Sequence, residues 1–472
     1  MFPFVGSSSN GRSPNFDAAR LVNMYVEKTE SGASRSAAML VGTPGLNPWL
    51  TLSGGGIKGC IRFSATVSIV IAGTTVWKVT SAKVATNLGT ITAPGATVSM
   101  ASNGTVIMLV AGATGYFINP TLNTVTMITS ANFLGSTNVD FNDGYFVFNK
   151  MGTGQFQISQ LYGTTIAALD FATAEGAPDN IVSLIVDHRE LWLLGENTTE
   201  IWYDIGNVDF PFQRVQGAFL EIGCAASASV AKMDNSIFWL ATDDRGYGTV
   251  QRAVGYSPQR ISNHVVEAAI ATYSVISDAV GYTYSQAGHS FYVISFPTAD
   301  ASWCYDAATN EWHERRYTNS DGTLGRHRSN CQMNFAGLTI VGDWATANLY
   351  SLDLNYYTDN GAAIKRIRIC PHITQETRLQ FFHSLELTMQ TGVGLPSGQG
   401  SNPQAMLRWS DDGGRVWSSE IWATIGAQGN YKTRVKWRRM GKSRDRLFEV
   451  SITDPIQVII TDASLSVTAG AS

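Results

Sequence analysis

The strongest chemical signal in this 472-residue chain is electrostatic. Lys432, Arg434, Lys436 and Arg438 alternate with Tyr431, Thr433, Val435 and Trp437. Side chains on an extended strand point alternately to its two faces. The spacing therefore predicts four cations on one side and packing residues on the other. Arg439, Lys442, Arg444 and Arg446 follow, with Asp445 the only acid among them. Like charges on one strand face repel, so a counter-charge must lie close by. Two partners meet that need: carboxylates, in a solvated or intersubunit salt bridge, and the phosphates of DNA. These eight cations are the candidate contact residues.

The other chemistry-bearing patterns are weaker. Ser410, Asp412, Gly414 and Trp417 match Ser-x-Asp-x-Gly-x-x-Trp, the Asp box. In that turn motif the carboxylate and hydroxyl cap backbone groups and the aromatic packs beneath. It predicts a structural hairpin and no catalysis. Sialidases carry several such boxes on propeller blades. Here there is one copy, and no spacing singles out the three arginines and the tyrosine–carboxylate pair a sialidase needs. His313 stands beside Glu311 and Glu314, while His289 and His327 are isolated. Without an HExxH or His-x-His pattern, all three are expected to be ordinary surface or turn histidines. Residues 243–248, which include Asp243 and Asp244, superficially resemble a calcium loop but lack its full ligand pattern and terminal Glu. No GxSxG, Walker or dinucleotide fingerprint occurs. The expectation is no catalytic site, no metal and no cofactor.

The elements carrying these residues follow from a repeat. Short β-branched or aromatic runs occupy residues 68–73, 106–112, 145–149, 191–195, 237–240, 291–294 and 338–342. Each is followed by a turn and a partner run, at 76–79, 116–119, 156–158, 201–203, 250–252, 303–305 and 349–351. The period of about 35–55 residues is that of propeller blades rather than helical solenoids. Phe117 to Thr121 and Tyr305 to Trp312 resemble the strand–turn–strand of kelch-type blades, with Ile201 to Asp204 a weaker copy. There the aromatic anchors a strand and Asp or Asn closes the turn. Radial stacking buries both faces of each small sheet, and ring closure leaves only short edges. Seven units can be counted, and degenerate blades make six equally defensible. The expected fold is all-β: a propeller of six or seven blades over residues 51–360, with a C-terminal antiparallel β-sandwich-like domain over 361–472. Residues 1–50 are expected to be an N-terminal arm, or a closing strand for the last blade.

Composition agrees. The hydrophobic fraction of 44% and charged fraction of 15% exclude wholesale disorder, and 45 glycines suit many turns. The net charge of −4 argues against a generic nucleic-acid coat, but it is unevenly placed. From residue 362 onward there are 14 Lys and Arg against 9 Asp and Glu, so the end carries +5 and the body −9. The five cysteines are widely spaced and never form a CxxC pair, which predicts reduced thiols in a protein assembled in a cytosol. Met1 to Val5 lack a charged leader region, and no apolar run approaches the ~18 residues of a membrane helix.

The run Trp437-Arg-Arg-Met-Gly-Lys-Ser-Arg-Asp-Arg-Leu-Phe-Glu-Val450, followed by Thr453-Asp-Pro-Ile456, resembles the C-terminal signature of the tail hub (nozzle) proteins of short-tailed phages. These are also called packaged DNA stabilisation proteins. At the N-terminus Arg12-Ser13, Asn23-Met-Tyr-Val-Glu27 and Gly42-Thr-Pro-Gly-Leu46 occur in the family's order. The resemblance implies a non-enzymatic structural subunit of the virion tail, assembled in the host cytoplasm. It implies a homohexameric ring below the portal and its head-to-tail adaptor. Such a ring lengthens the channel for genomic DNA, holds that DNA until ejection, receives a tail needle or plug, and anchors tailspikes or fibres. No small-molecule substrate is expected. The competing class is a glycan-binding or glycan-hydrolysing propeller, a receptor-binding tail protein. That class requires a concave, aromatic-lined pocket with convergent carboxylates or arginines.

Overall fold

The computed structural model describes residues 3–9, 13, 15, 17–29, 36–92, 94–242 and 245–470. Met1, Phe2, Arg12, Asp243 and Asp244, which enter the sequence reading, lie outside them. Seven four-stranded antiparallel blades are present among the described residues. The first consists of Ile57–Arg62, Val67–Ala72, Thr75–Thr80 and Ala85–Thr90. The next five cover residues 99–127, 139–173, 181–220, 231–260 and 280–314. The seventh takes three strands from residues 329–353 and its fourth, Gly45–Thr51, from the N-terminal side of the chain.

All seven runs expected from the sequence are second strands, and their partners are third strands, paired in register. These two strands are the most apolar because both their faces are covered by neighbouring blades. Ile69, Ile71, Leu109, Phe146, Leu193 and Trp239 are all buried there. Fourth strands lie at the periphery. Ser257–Arg260, for example, is exposed along its whole length and carries no apolar pattern to announce it.

The recurring Asp or Asn also has a structural role. Asn119, Asp204, Asp306 and Asp353 each end a third strand and accept a hydrogen bond from the backbone N–H two residues on, at 2.7–3.0 Å. The side chain thereby closes the turn. A seven-residue helix, His264–Ile270, bridges the fifth and sixth blades, with Asn263 capping the Val265 and Val266 amides.

The C-terminal residues form two sheets packed around one core that includes Leu385, Leu407, Trp437 and Phe448. One sheet runs Arg20–Val22, Arg366–Ile369, Asp445–Ile452, Gln404–Ser410, Ile421–Thr424. The other runs Met24–Lys28, Ala38–Gly42, Ile459–Ala469, Gln380–Met389, Val435–Arg438. Three of these strands come from the N-terminal region that the sequence reading set apart as an arm. Phe4, Leu21 and Leu40 contribute to the sandwich core. Nor is the sandwich a detached body. Val22 pairs in parallel with Glu314, which fuses the first sheet to the sixth blade in one ten-stranded sheet.

Asn23 stands where the chain passes between the two sandwich sheets, in left-handed conformation (φ 53°) and buried. Its side chain donates to the carbonyls of Arg316 and Lys365 and accepts from the Arg316 amide, all at 2.9 Å. Asparagine tolerates this backbone conformation and can also hydrogen-bond both modules at once.

Candidate functional site

The basic segment folds as an edge rather than a long strand. Val435–Arg438 and the short Lys442–Ser443 both pair with Gln380–Met389 at the margin of its sheet, and Arg446 lies on Asp445–Ile452 of the other sheet. Val435 and Trp437 enter the core, and the Trp437 indole donates to the Ile421 carbonyl at 2.9 Å. Lys432 is not on the strand. It lies in a turn held by Thr433, whose amide and hydroxyl both donate to the Asn430 carbonyl. Tyr431, expected to pack, is 74% exposed for the same reason.

The counter-charge the spacing demands comes from the adjacent strand. Glu386 sits directly opposite Lys436 and accepts two hydrogen bonds from Arg434, both at 2.6 Å, with the Lys436 ammonium at 3.2 Å. The hydrogen bonds and charges of Arg434 and Lys436 outweigh desolvation and hold the Glu386 carboxyl down at about 2. Two of the eight cations thus share one carboxylate within the chain, and the three groups together keep a charge of +1.

Arg446 does not belong to the surface group. It is 2% exposed, forms a bidentate pair with Asp411 at 2.6 and 2.7 Å, and lies among the rings of Phe382, Trp409 and Phe448. The alternation of Asp445–Ile452 turns it inward, where a planar guanidinium stacks on aromatics and meets a carboxylate. Lys432, Arg438, Arg439, Lys442 and Arg444 remain exposed, and none of them forms an ion pair among the described residues. Arg439 leaves the strand in left-handed conformation (φ 60°), and its amide donates to the His383 carbonyl.

The Asp-box residues close the loop between Gln404–Ser410 and Ile421–Thr424. The Ser410 hydroxyl donates to Asp412 at 2.7 Å and accepts from the Gly414 amide at 2.8 Å. Asp412 accepts from the Arg415 and Val416 amides, and the Trp417 indole donates to the Gly414 carbonyl. The Val416 amide and the Ser410 hydroxyl lead the contacts that hold the Asp412 carboxyl below its usual range. Asp411, the partner of Arg446, lies in the same turn, so the box also serves the core.

The histidines differ from expectation: His289, His313 and His327 are all buried. The strands Glu311–Glu314 and His289–Phe296 carry two of them between propeller and sandwich. Burial and the neighbouring Arg315 push His313 down to about 3, and burial, Arg315 and Arg328 push His327 well down too. His289 is raised, chiefly by its hydrogen bond to Asp306 at 2.7 Å.

Two cavities bear on the glycan reading. One, of about 320 Å³, occupies the propeller axis. Lys58 is the only charged residue in its lining and Tyr282 the only aromatic one. The other, of about 530 Å³, lies between the helix and the sixth blade and contains one carboxylate, Glu314. Arg20 grips Glu314 at 2.6 and 2.8 Å and Arg316 reaches it at 3.0 Å. Burial pushes the Glu314 carboxyl up, but these two arginines outweigh it and hold it below its usual range. Glycoside hydrolysis ordinarily uses a pair of carboxylates, and neither cavity presents one. The Arg20–Glu314–Arg316 cluster instead ties the first sandwich strand to the propeller.

The molecule is therefore a seven-bladed propeller locked to a β-sandwich, with a basic sheet margin as its most distinctive surface. Two family models match it in succession: "Bacteriophage P22 Gp10, beta-propeller" over residues 2–357, and "Bacteriophage P22 Gp10, beta-sandwich" over residues 365–468. The chain belongs to this family, the packaged DNA stabilisation or tail hub proteins of short-tailed phages, and is a structural component of the virion tail.

Similar solved structures are distant. The computationally designed Ika8 protein is 12% identical, with 71% of this chain and 100% of that one covered, at a TM-score of 0.39. The WD40 β-propeller domain of Doa1 is 11% identical, with 65% and 96% covered, at 0.40. PorZ of the Porphyromonas gingivalis type-IX secretion system is 11% identical, with 65% and 38% covered, also at 0.40. No match was found among curated proteins.

Proposed function

We propose that this chain is the repeating subunit of a tail hub, a homohexameric nozzle ring beneath the portal and its adaptor. The ring extends the DNA channel, helps retain packaged DNA, and anchors the tail needle and the spikes or fibres. The observation that carries this reading is the family match along nearly the whole chain, in propeller-then-sandwich order. The fold suits the role. Three N-terminal strands, Arg20–Val22, Met24–Lys28 and Ala38–Gly42, weave the sandwich to the propeller, which favours a rigid wedge over two hinged domains.

The five exposed cations that form no ion pair among the described residues are the contact surface in this proposal. Their partner is DNA phosphate in the channel or the acidic body of the adjacent subunit. Contact by either route weakens with salt. Substituting Arg438, Arg439 and Lys442 together by Ser discriminates between them. Intact rings with altered DNA retention indicate a channel-facing margin, whereas failed ring assembly indicates an intersubunit one. Rings indifferent to salt would remove the charge-matching idea.

The decisive test is electron microscopy of particles carrying a density label on this protein. A sixfold collar of label directly below the portal and adaptor is the expected result. Label on peripheral fibres, or on no particle, would sink the hub assignment and return the glycan-binding propeller to first place.

A further inference from the structure

The five cysteines look unrelated in sequence, but two of them meet. Cys60 lies on Ile57–Arg62, the innermost strand of the first blade, and Cys331 on Ser329–Phe335, the innermost strand of the seventh. The Cys60 thiol donates to the Cys331 sulfur at 3.3 Å, across 271 residues of chain. Gly342 makes room for this approach. A Cβ there would stand 2.9 Å from the Cys331 sulfur and closer still to Ile57.

The place matters as much as the distance. The first and seventh blades meet where the propeller closes on itself. That seam is held by pairing of Gly45–Thr51 with Asn348–Asp353, by an apolar cluster including Trp49, Ile57 and Ile340, and by the Asn330 amide donating to the Ile57 carbonyl. All of these contacts are non-covalent. Both thiols also line the axial cavity and are half-buried, whereas Cys224, Cys304 and Cys370 are buried. A small reagent entering from the axis therefore meets this pair and not the other three.

We propose that Cys60 and Cys331 form a disulfide that fastens the closure seam of the propeller once the protein is outside a reducing compartment. A disulfide has an S–S length of about 2.05 Å, so the two side chains must close about 1.3 Å between them. The oxidant is a low-molecular-weight disulfide. One cysteine thiolate attacks it, forming a mixed disulfide and releasing one thiolate. The second cysteine thiolate then attacks the protein sulfur of that mixed disulfide and releases the other thiolate. Two cysteine thiols and one small disulfide thus become one protein disulfide and two small thiols. The two electrons pass from the cysteine sulfurs to the reagent, and the protons go to the released thiolates. Cys60 is held above its ordinary thiol range by the hydrogen bond to Cys331 and by burial, so the reaction is slow near neutrality and speeds up with pH. A link between the two ends of the ring closes a loop spanning 271 residues, and a cross-link restricts the unfolded chain more the longer the loop it closes.

The test uses the full-length protein and hydroxyethyl disulfide, a small neutral reagent, followed by alkylation and peptide mapping without reductant. The expected result is a Cys60–Cys331 linked peptide, with Cys224, Cys304 and Cys370 still alkylatable after denaturation. The unfolding midpoint should rise by about 5 °C, and dithiothreitol should reverse the rise. Cys60→Ser should show neither the link nor the oxidation-dependent rise. Free Cys60 and Cys331 after prolonged treatment, or each capped separately by the reagent, would overturn the pairing. A linked peptide with no change in the unfolding midpoint would overturn the fastening role.

Discussion

The propeller and the sandwich solve the same problem, burying the faces of small antiparallel sheets, by opposite routes along the chain. Each of the first six blades is completed within a few dozen residues, strand after strand. The sandwich is wired over hundreds. Arg20 pairs with Ile369, and Leu40 pairs with Ile460. Local contacts cost little loop-closure entropy, while contacts of such separation must be repaid by a large shared core. The lesson is that the modules are unequal in independence. A blade is specified by its own segment, whereas the sandwich is specified only when both ends of the chain have met.

The largest expected effect attacks that difference directly. Deleting residues 1–43 removes three strands from the sandwich but leaves Gly45–Thr51 to complete the seventh blade. Limited proteolysis should then digest residues 365–468 while a fragment spanning the propeller survives. Equal loss of both modules would erase the asymmetry.

Acid should expose the junction next. His313 is neutral when folded, its pKa pushed down to about 3, whereas the unfolded chain takes up that proton near 6.5. Its contribution is therefore intact above about pH 6.5 and lost progressively as pH falls toward 3. That amounts to about 3 kcal/mol by pH 4. His327 acts in the same direction. Asp359, pushed up to about 6 by burial, and His289, raised beside Asp306, act in the opposite one. The stability difference between pH 7 and pH 4, measured by denaturant titration, should shrink markedly in His313→Gln.

Comparable in size is Glu314→Ala, which leaves Arg20 and Arg316 without their shared carboxylate. A loss of about 3 kcal/mol is expected, with both modules affected because the cluster joins them. A smaller change tests the sandwich alone. Ser410→Ala removes a buried hydroxyl that holds the Asp-box turn and should cost about 1 kcal/mol without altering the propeller. Smallest in stability is the triple substitution of Arg438, Arg439 and Lys442 by Ser. It should leave the unfolding midpoint unchanged and act only on assembly or DNA retention.

The legibility of these features follows the same division. The second and third strands of every blade were readable because burial on both faces makes them continuous apolar runs. First strands and most fourth strands were not, since partial exposure dilutes their pattern; the strand of Trp312 and the closing strand within residues 1–50 were the exceptions. Asn119, Asp204 and Asp306 were legible as turn closers because a side-chain cap acts over two residues. The basic segment was visible as charge, but its geometry was not. Nothing near Lys436 in sequence reveals that Glu386, fifty residues earlier, lies opposite it. Arg446 reads like its basic neighbours until the strand phase turns it into the core. The histidines were misplaced because burial of an imidazole depends on what covers it: Tyr25 of the sandwich lies against His289 and His313, and propeller residues such as Arg315 and Trp344 enclose His327.

By itself, then, the sequence determined the repeat, the turn chemistry and the asymmetry of charge, which are read from composition or from residues within one hairpin of each other. Only the tertiary structure decided that the N-terminal strands belong to the sandwich, that Glu386 pairs with two of the cations, and that Cys60 meets Cys331 at the closing seam. Those contacts join residues far apart along the chain. Their register is fixed by how whole sheets pack, and no local pattern encodes it.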